Sequence, residues 1–253
     1  MYLHAHGGSV VDALSIRQYF LPRVSFCIFD FAGCGLSEGE YISLGPKEKR
    51  DTMTVIDFIR KEYNVGQVFL WGRSMGAVAS IMLASQFPDA VSGLVLDSPF
   101  SDLTKMVGGT VTKVKDVVTA ERNLPRCLIG CVLCCLASTA KKRTGTDLRK
   151  IVPINDIQAL KIPIFMMVAK EDTLAKPSRV IEMFEKCPSQ HKCFFLVEGD
   201  HISARDSLVM LKAVNFVFKR FAMESFEKQI PIISLPNLPE EESKSRITKE
   251  LSY

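Results

Sequence analysis

A serine hydroxyl is a poor nucleophile at neutral pH. It becomes useful when a base lies within hydrogen-bond reach and a third group holds that base in the right tautomer. One serine stands where such an arrangement is built. In Val68-Phe-Leu-Trp-Gly-Arg-Ser-Met-Gly-Ala77, an apolar run that reads as a buried strand stops at two glycines flanking Ser74 and resumes as an Ala-rich helix. Gly72 and Gly76 suit a strained strand-to-helix turn in which backbone segments come too close for side chains. The helix start behind Ser74 also favours negative charge. An ordinary glycine-rich turn is the alternative, and the partners decide between the two.

The base must be a histidine, and the chain has four, at 4, 6, 191 and 201. His201 ends Val197-Glu-Gly-Asp-His201, directly after the strand-like Cys193–Val197 and before the last helical pattern. It is expected at the same carboxyl edge as Ser74. His191 precedes that strand and belongs at the opposite edge. The strand-like run before it, Ile162–Ala169, ends in Lys170-Glu171-Asp172. Asp172 is the expected acid, with Glu171 as the adjacent alternative. A loop histidine and a solvated loop acid are the plain alternatives for His201 and Asp172. An acyl-transfer site also needs two donors aimed at a developing oxyanion. The backbone N–H of Met75, next after the serine, is one candidate. The backbone N–H of His6, in His4-Ala-His-Gly-Gly8, is the other.

These residues need a frame that delivers them to one edge. Strand-like runs at Met1–His4, Val24–Phe31, Gln67–Trp71, Val91–Asp97, Ile162–Ala169 and Cys193–Val197 alternate with helical patterns at Lys47–Tyr63, Met75–Gln86, Pro177–Cys187 and Ala204–Glu224. That alternation predicts about six mainly parallel strands covered by helices on both faces. Residues 101–160 break the rhythm and carry ten Lys or Arg against five Asp or Glu. Residues 226–253 hold three prolines and a Glu-rich run, the composition of a disordered tail. The expected organisation is one domain over 1–225, with an insert at about 101–160, and a tail over 226–253. The first strand reads as the end of a longer one, as in a truncated chain.

Composition limits the partners. The chain has 253 residues, 47% of them hydrophobic, and a formal charge of +4, which is too mild to imply nucleic acid. It opens on neither a basic nor a long apolar stretch, so no signal peptide is expected. Eight cysteines in largely apolar runs read as reduced thiols in a cytoplasmic protein. Cys131 and Cys134 form a C-x-x-C pair with no second pair to complete a metal site, so neither metal nor cofactor is expected.

Five stretches together resemble the α/β-hydrolase superfamily: Tyr2-Leu-His4, Asp30-Phe-Ala-Gly-Cys-Gly-Leu-Ser-Glu-Gly39, Trp71-Gly-Arg-Ser-Met-Gly-Ala77, Asp97-Ser-Pro-Phe100 and Glu198-Gly-Asp-His201. The chain order Ser74, Asp172, His201 matches that arrangement. More narrowly the chain is similar to the plant and protist esterase/lipase, or serine aminopeptidase-like, branch, which is related to the α/β-hydrolase-domain depalmitoylases. The resemblance implies Ser74 as nucleophile, Asp172 as acid, His201 as base, and Met75 and His6 as oxyanion donors. It also implies that the Gly33–Gly35 turn shapes the rim and that Asp97 fixes a loop. Ala5 departs from the glycine usual in the family and would be strained if its φ were positive. Missing front strands would leave Val24–Phe31 as an open sheet edge.

The insert sits where this fold carries a cap. Its Cys127–Ala137 run is apolar, with Arg126 on one side and Lys141-Lys-Arg143 on the other. A buried cap helix, a lid over an acyl channel and a peripheral contact with a membrane surface are all open readings. The expected function is a serine hydrolase acting on an ester or thioester of a small-molecule or acylated substrate. An aminopeptidase-like amide hydrolase and a non-catalytic scaffold are the alternatives.

Overall fold

The computed structural model describes residues 1–21, 23–107, 135 and 137–225. The core of the expected cap at 108–134 and the expected tail at 226–253 lie outside the described residues.

Residues Met1–Phe218 form one compact unit. Its sheet has five parallel strands in sequence order: β1 (Tyr2–Leu3), β2 (Phe69–Arg73), β3 (Gly93–Asp97), β4 (Ile164–Ala169) and β5 (Lys192–Val197). The connecting helices are α1 (Leu14–Phe20), α2 (Pro46–Tyr63), α3 (Met75–Gln86), α4 (Pro177–Lys186) and α5 (Ser207–Ser225). The middle strands are apolar up to their last residues, Arg73 in β2 and Asp97 in β3, because both faces of the sheet are covered. Alternation still sorts their side chains. Leu3, Leu70, Leu94, Leu96 and Met166 share a core with Ala77 and Ile81 of α3. On the other face Trp71 meets Phe20 of α1, and Phe165 meets Phe216 of α5.

Helix ends follow local chemistry. Pro46 opens α2, where Glu48 accepts from the backbone N–H groups of Ser43 and Gly45 at 2.7 Å each. The helix stops at Asn64 in the left-handed conformation. The sequence reading had no helix at α1. This helix continues directly from a 3₁₀ turn, Val10–Ala13, opened by Ser9, whose hydroxyl accepts from the Val11 N–H at 3.4 Å while Asp12 accepts from the Ser9 N–H at 3.3 Å; α1 itself has no side-chain cap.

The expected strand Val24–Phe31 is corrected to a single bridge, Tyr2 to Ile28, with the Tyr2 N–H donating to Cys27 O at 2.9 Å. The physical reason is its partner: β1 offers only two residues to pair with. Among the described residues, no helix is long and apolar enough to cross a membrane.

In a parallel sheet every strand ends at the same edge. The register pairs Arg73 with Asp97, Asp97 with Met167, and Ala169 with Val197. The segments that follow β2, β3, β4 and β5 therefore leave together.

Candidate active site

Ser74 occupies the turn between β2 and α3 with φ 50° and ψ −112°. Such a backbone costs a non-glycine residue about 1–3 kcal/mol. Two bonds hold it, the Ser74 N–H donating to Asp97 O at 2.8 Å and the Val78 N–H donating to Ser74 O at 3.0 Å. The flanking glycines supply space. A Cβ on Gly72 would run into the carbonyl of Gly76, and one on Gly76 into the carbonyl of Leu3.

The Ser74 hydroxyl lies 2.9 Å from His201 Nε2, and His201 Nδ1 lies 2.7 Å from Asp172 Oδ2. The Asp172 side chain is fully buried. Its Oδ1 accepts from the N–H groups of Leu174 (3.0 Å) and Ala175 (2.7 Å), which leaves Oδ2 to the histidine. A carboxylate only accepts, so Nδ1 carries the proton and donates it. Nε2 then presents a lone pair to the serine hydroxyl. Glu171, the alternative acid, is exposed and does not reach His201; its N–H donates to Gly199 O at 3.0 Å. His191 lies just before β5, at the opposite edge, where its carbonyl accepts from the Ile164 N–H.

Met75 is the first residue of α3, so its N–H has no intrahelical acceptor. His6 is exposed in a turn closed by the Gly8 N–H donating to Ala5 O at 3.0 Å. Gly7 takes the positive φ of that turn, 75°. Ala5 has no positive φ, so the strain expected from its departure does not arise. His4 was not assigned a task by the sequence. Its buried ring lies 2.8 Å from Ala5 O through Nδ1, and its Nε2 accepts from the Phe31 N–H at 3.2 Å. An acceptor Nε2 requires Nδ1 to donate, so a neutral imidazole pins this loop from inside.

Met75, His6, Ser74 and His201 all border one cavity of about 1080 Å³, with apolar walls including Leu44, Phe100, Met106 and Leu174. None of residues 33–36 lines it, a correction to the rim expected of the Gly33–Gly35 turn. That turn touches the site region through Asp30, which accepts from the N–H groups of Val10 (2.7 Å) and Leu36 (3.0 Å). The described residues contain no cluster of His, Cys, Asp or Glu able to hold a metal ion. The sequence also missed two cations at the site. Arg73 and Arg205 both reach Asp97 and the carbonyls around His201.

The family model described as serine aminopeptidase, S33, matches residues 15–132. Protein bem46 of Schizosaccharomyces pombe is 22% identical over 77% of this chain and 58% of its own length. The monoglyceride lipase of Rattus norvegicus is 25% identical over 71% of this chain and 67% of its own. The chain thus spans a little over half of the first and two thirds of the second. The solved esterase Pf2001 of Pyrococcus furiosus superposes with a TM-score of 0.67 at 21% identity, covering 86% of this chain and 81% of that one. With its parallel sheet, its glycine-flanked serine turn and these structural neighbours, the chain has the α/β-hydrolase fold.

Proposed function

We propose that the chain is a serine hydrolase that cleaves carboxylic esters or thioesters through an acyl-enzyme. The observation that carries the reading is the unbroken hydrogen-bonded line from Asp172 through His201 to Ser74, open to the cavity. Ser74 Oγ attacks the substrate carbonyl carbon while its proton passes to His201 Nε2. Asp172 steadies the imidazolium that forms. The negative oxygen of the tetrahedral intermediate faces the N–H groups of Met75 and His6. His201 then gives its proton to the departing alcohol or thiol, leaving the acyl group on Ser74. Water, deprotonated by His201, attacks that acyl group, releases the acid and restores the serine.

The names of the relatives favour an ester, since one is a monoglyceride lipase and another an esterase. The apolar cavity walls favour an acyl chain. In this reading the chain works in the cytoplasm, or peripherally on a membrane surface, on a small-molecule or acylated substrate and without metal or cofactor. An amide substrate is the second reading, favoured by the family description. A peptide amine calls for an unpaired carboxylate at the mouth; of the two carboxylates lining the cavity, Asp97 is held by two arginines, whereas Asp12 is exposed and accepts from the Ser9 N–H, so the amide reading stands on Asp12.

The test is a panel of p-nitrophenyl esters, acyl thioesters and amino-acid p-nitroanilides, run on the wild type beside Ser74→Ala. Turnover of esters or thioesters that vanishes in the variant is expected. Turnover confined to anilides would shift the reading to the amide, and turnover unchanged in Ser74→Ala would refute it.

A further inference from the structure

We propose that Arg73, Asp97 and Arg205 form a clamp that sets the position of the His201 imidazole. The inference rests on the serine-hydrolase reading for its catalytic meaning, and on geometry for its existence. His201 sits on the segment 198–206 between β5 and α5, which turns at Gly199 with φ 92° and contains no helix or strand. A histidine that must meet Ser74 at 2.9 Å and Asp172 at 2.7 Å needs that segment held to a fraction of an ångström.

Alternation along the sheet explains where the holding groups come from. Arg73 and Asp97 are register partners on β2 and β3, so their side chains leave the same face side by side. Arg73 Nε lies 3.7 Å from Asp97 Oδ2. Arg205, from the far side of the histidine, lays its fork on the same carboxylate. Its Nε donates to Oδ1 at 2.9 Å and Oδ2 at 3.1 Å, and its Nη2 lies 2.9 Å from Oδ1. The next residue, Ser98, takes a left-handed φ of 52° and sets its hydroxyl 3.0 Å from Arg205 Nη2. Ser98 is fully buried, and the Arg205 side chain is 2% exposed.

The remaining guanidinium donors go to the histidine segment. Arg73 Nη2 donates to the carbonyls of His201 (3.0 Å) and Ser203 (2.8 Å). Arg205 Nη1 donates to those of Asp200 (3.0 Å) and Ser203 (3.2 Å). The carbonyls at 200, 201 and 203 are thereby tied to the end of β3, the strand whose Asp97 carbonyl also holds the Ser74 N–H. Nucleophile and base are referenced to one residue. The two arginines touch no reacting atom in this scheme and are positioning residues. Lysine could neutralise Asp97, but it cannot grip carboxylate, hydroxyl and carbonyls in one plane.

The experiment compares the wild type with Arg73→Met, Arg205→Lys and the double variant Asp97→Asn/Arg205→Met, in the full chain. The double variant removes the buried carboxylate together with its partner, so that no uncompensated charge unfolds the protein. Circular dichroism checks folding. Two readouts follow: kcat and KM on a p-nitrophenyl ester, and the downfield proton resonance of the His201–Asp172 hydrogen bond. The clamp predicts that kcat falls about 100-fold in the double variant, with KM little changed. It predicts a smaller fall in Arg73→Met, an intermediate one in Arg205→Lys, and a shifted or broadened proton signal in each. Folded variants with wild-type kcat and an unmoved resonance would overturn it. If the wild type turns over neither ester nor thioester, the proposed function fails, while the resonance still decides the clamp.

Discussion

Two turns of this chain carry a pair of glycines, and the glycines are there for opposite reasons. At Gly72–Gly76 the left-handed backbone belongs to Ser74 itself, with φ 50°. The glycines beside it have unremarkable φ values but no room, since each faces a backbone carbonyl. At Gly33–Gly35 the glycines carry the positive φ, 80° and 53°. Their surroundings include a side chain: a Cβ on Gly35 would meet the Asp30 carboxylate. The first turn confines a serine between fixed backbones. The second wraps a supporting carboxylate that steadies neighbouring loops. Similar sequence punctuation thus serves a reactive residue in one place and a scaffold in the other.

The contrast breaks most readily at Gly76. In Gly76→Ala the new methyl group presses on the Leu3 carbonyl, which belongs to the sheet and cannot rotate away. Ester turnover is expected to fall by about 100-fold or more as the elbow shifts, and stability by about 1–3 kcal/mol. Kinetics beside a urea melt would show both. Gly35→Ala should behave differently. It pays about 1–2 kcal/mol for a left-handed alanine, and more as the displaced Asp30 carboxylate gives up the N–H groups of Val10 and Leu36, but the triad is untouched and most turnover survives. Equal loss of turnover in both variants would erase the distinction.

The smallest effect sits at Cys34, inside the second turn. Burial pushes its thiol above the ordinary value, and the carboxylates of Glu48, Asp30 and Asp51 push the same way. A raised value means less thiolate at pH 8. Iodoacetamide should therefore label Cys34 of the folded chain more slowly than a free thiol, the rate should climb as pH rises, and the alkylated protein should keep its turnover. Mass spectrometry of timed samples reads the rate. Labelling at the free-thiol rate would contradict that environment.

Why Ser74, Asp172 and His201 could be picked out of the sequence is a matter of restricted choices. Chemistry permits few residue types, and strand ends in a parallel sheet permit few positions. Asp172 and Glu171 stood one residue apart, and only the N–H groups of Leu174 and Ala175 turn the former inward. Arg205 had no comparable signal, because its partner Asp97 is 108 residues away and no period connects them. Val24–Phe31 failed for the reverse reason. An apolar run reports that a segment suits a sheet, not how much strand lies beside it, and β1 supplies two residues. The α1 helix has seven residues and no side-chain cap of its own, and the Ser9–Asp12 pair before it opens only a 3₁₀ turn, so little in its sequence announces it.

The most direct measurement is labelling of the folded chain with a fluorophosphonate, which phosphonylates a serine only when a base activates it, followed by mass spectrometry of the modified peptide. A single adduct on Ser74, absent from Ser74→Ala and from His201→Ala, is the predicted result. A folded wild type that stays unlabelled, or an adduct on another residue that persists in Ser74→Ala, would contradict it.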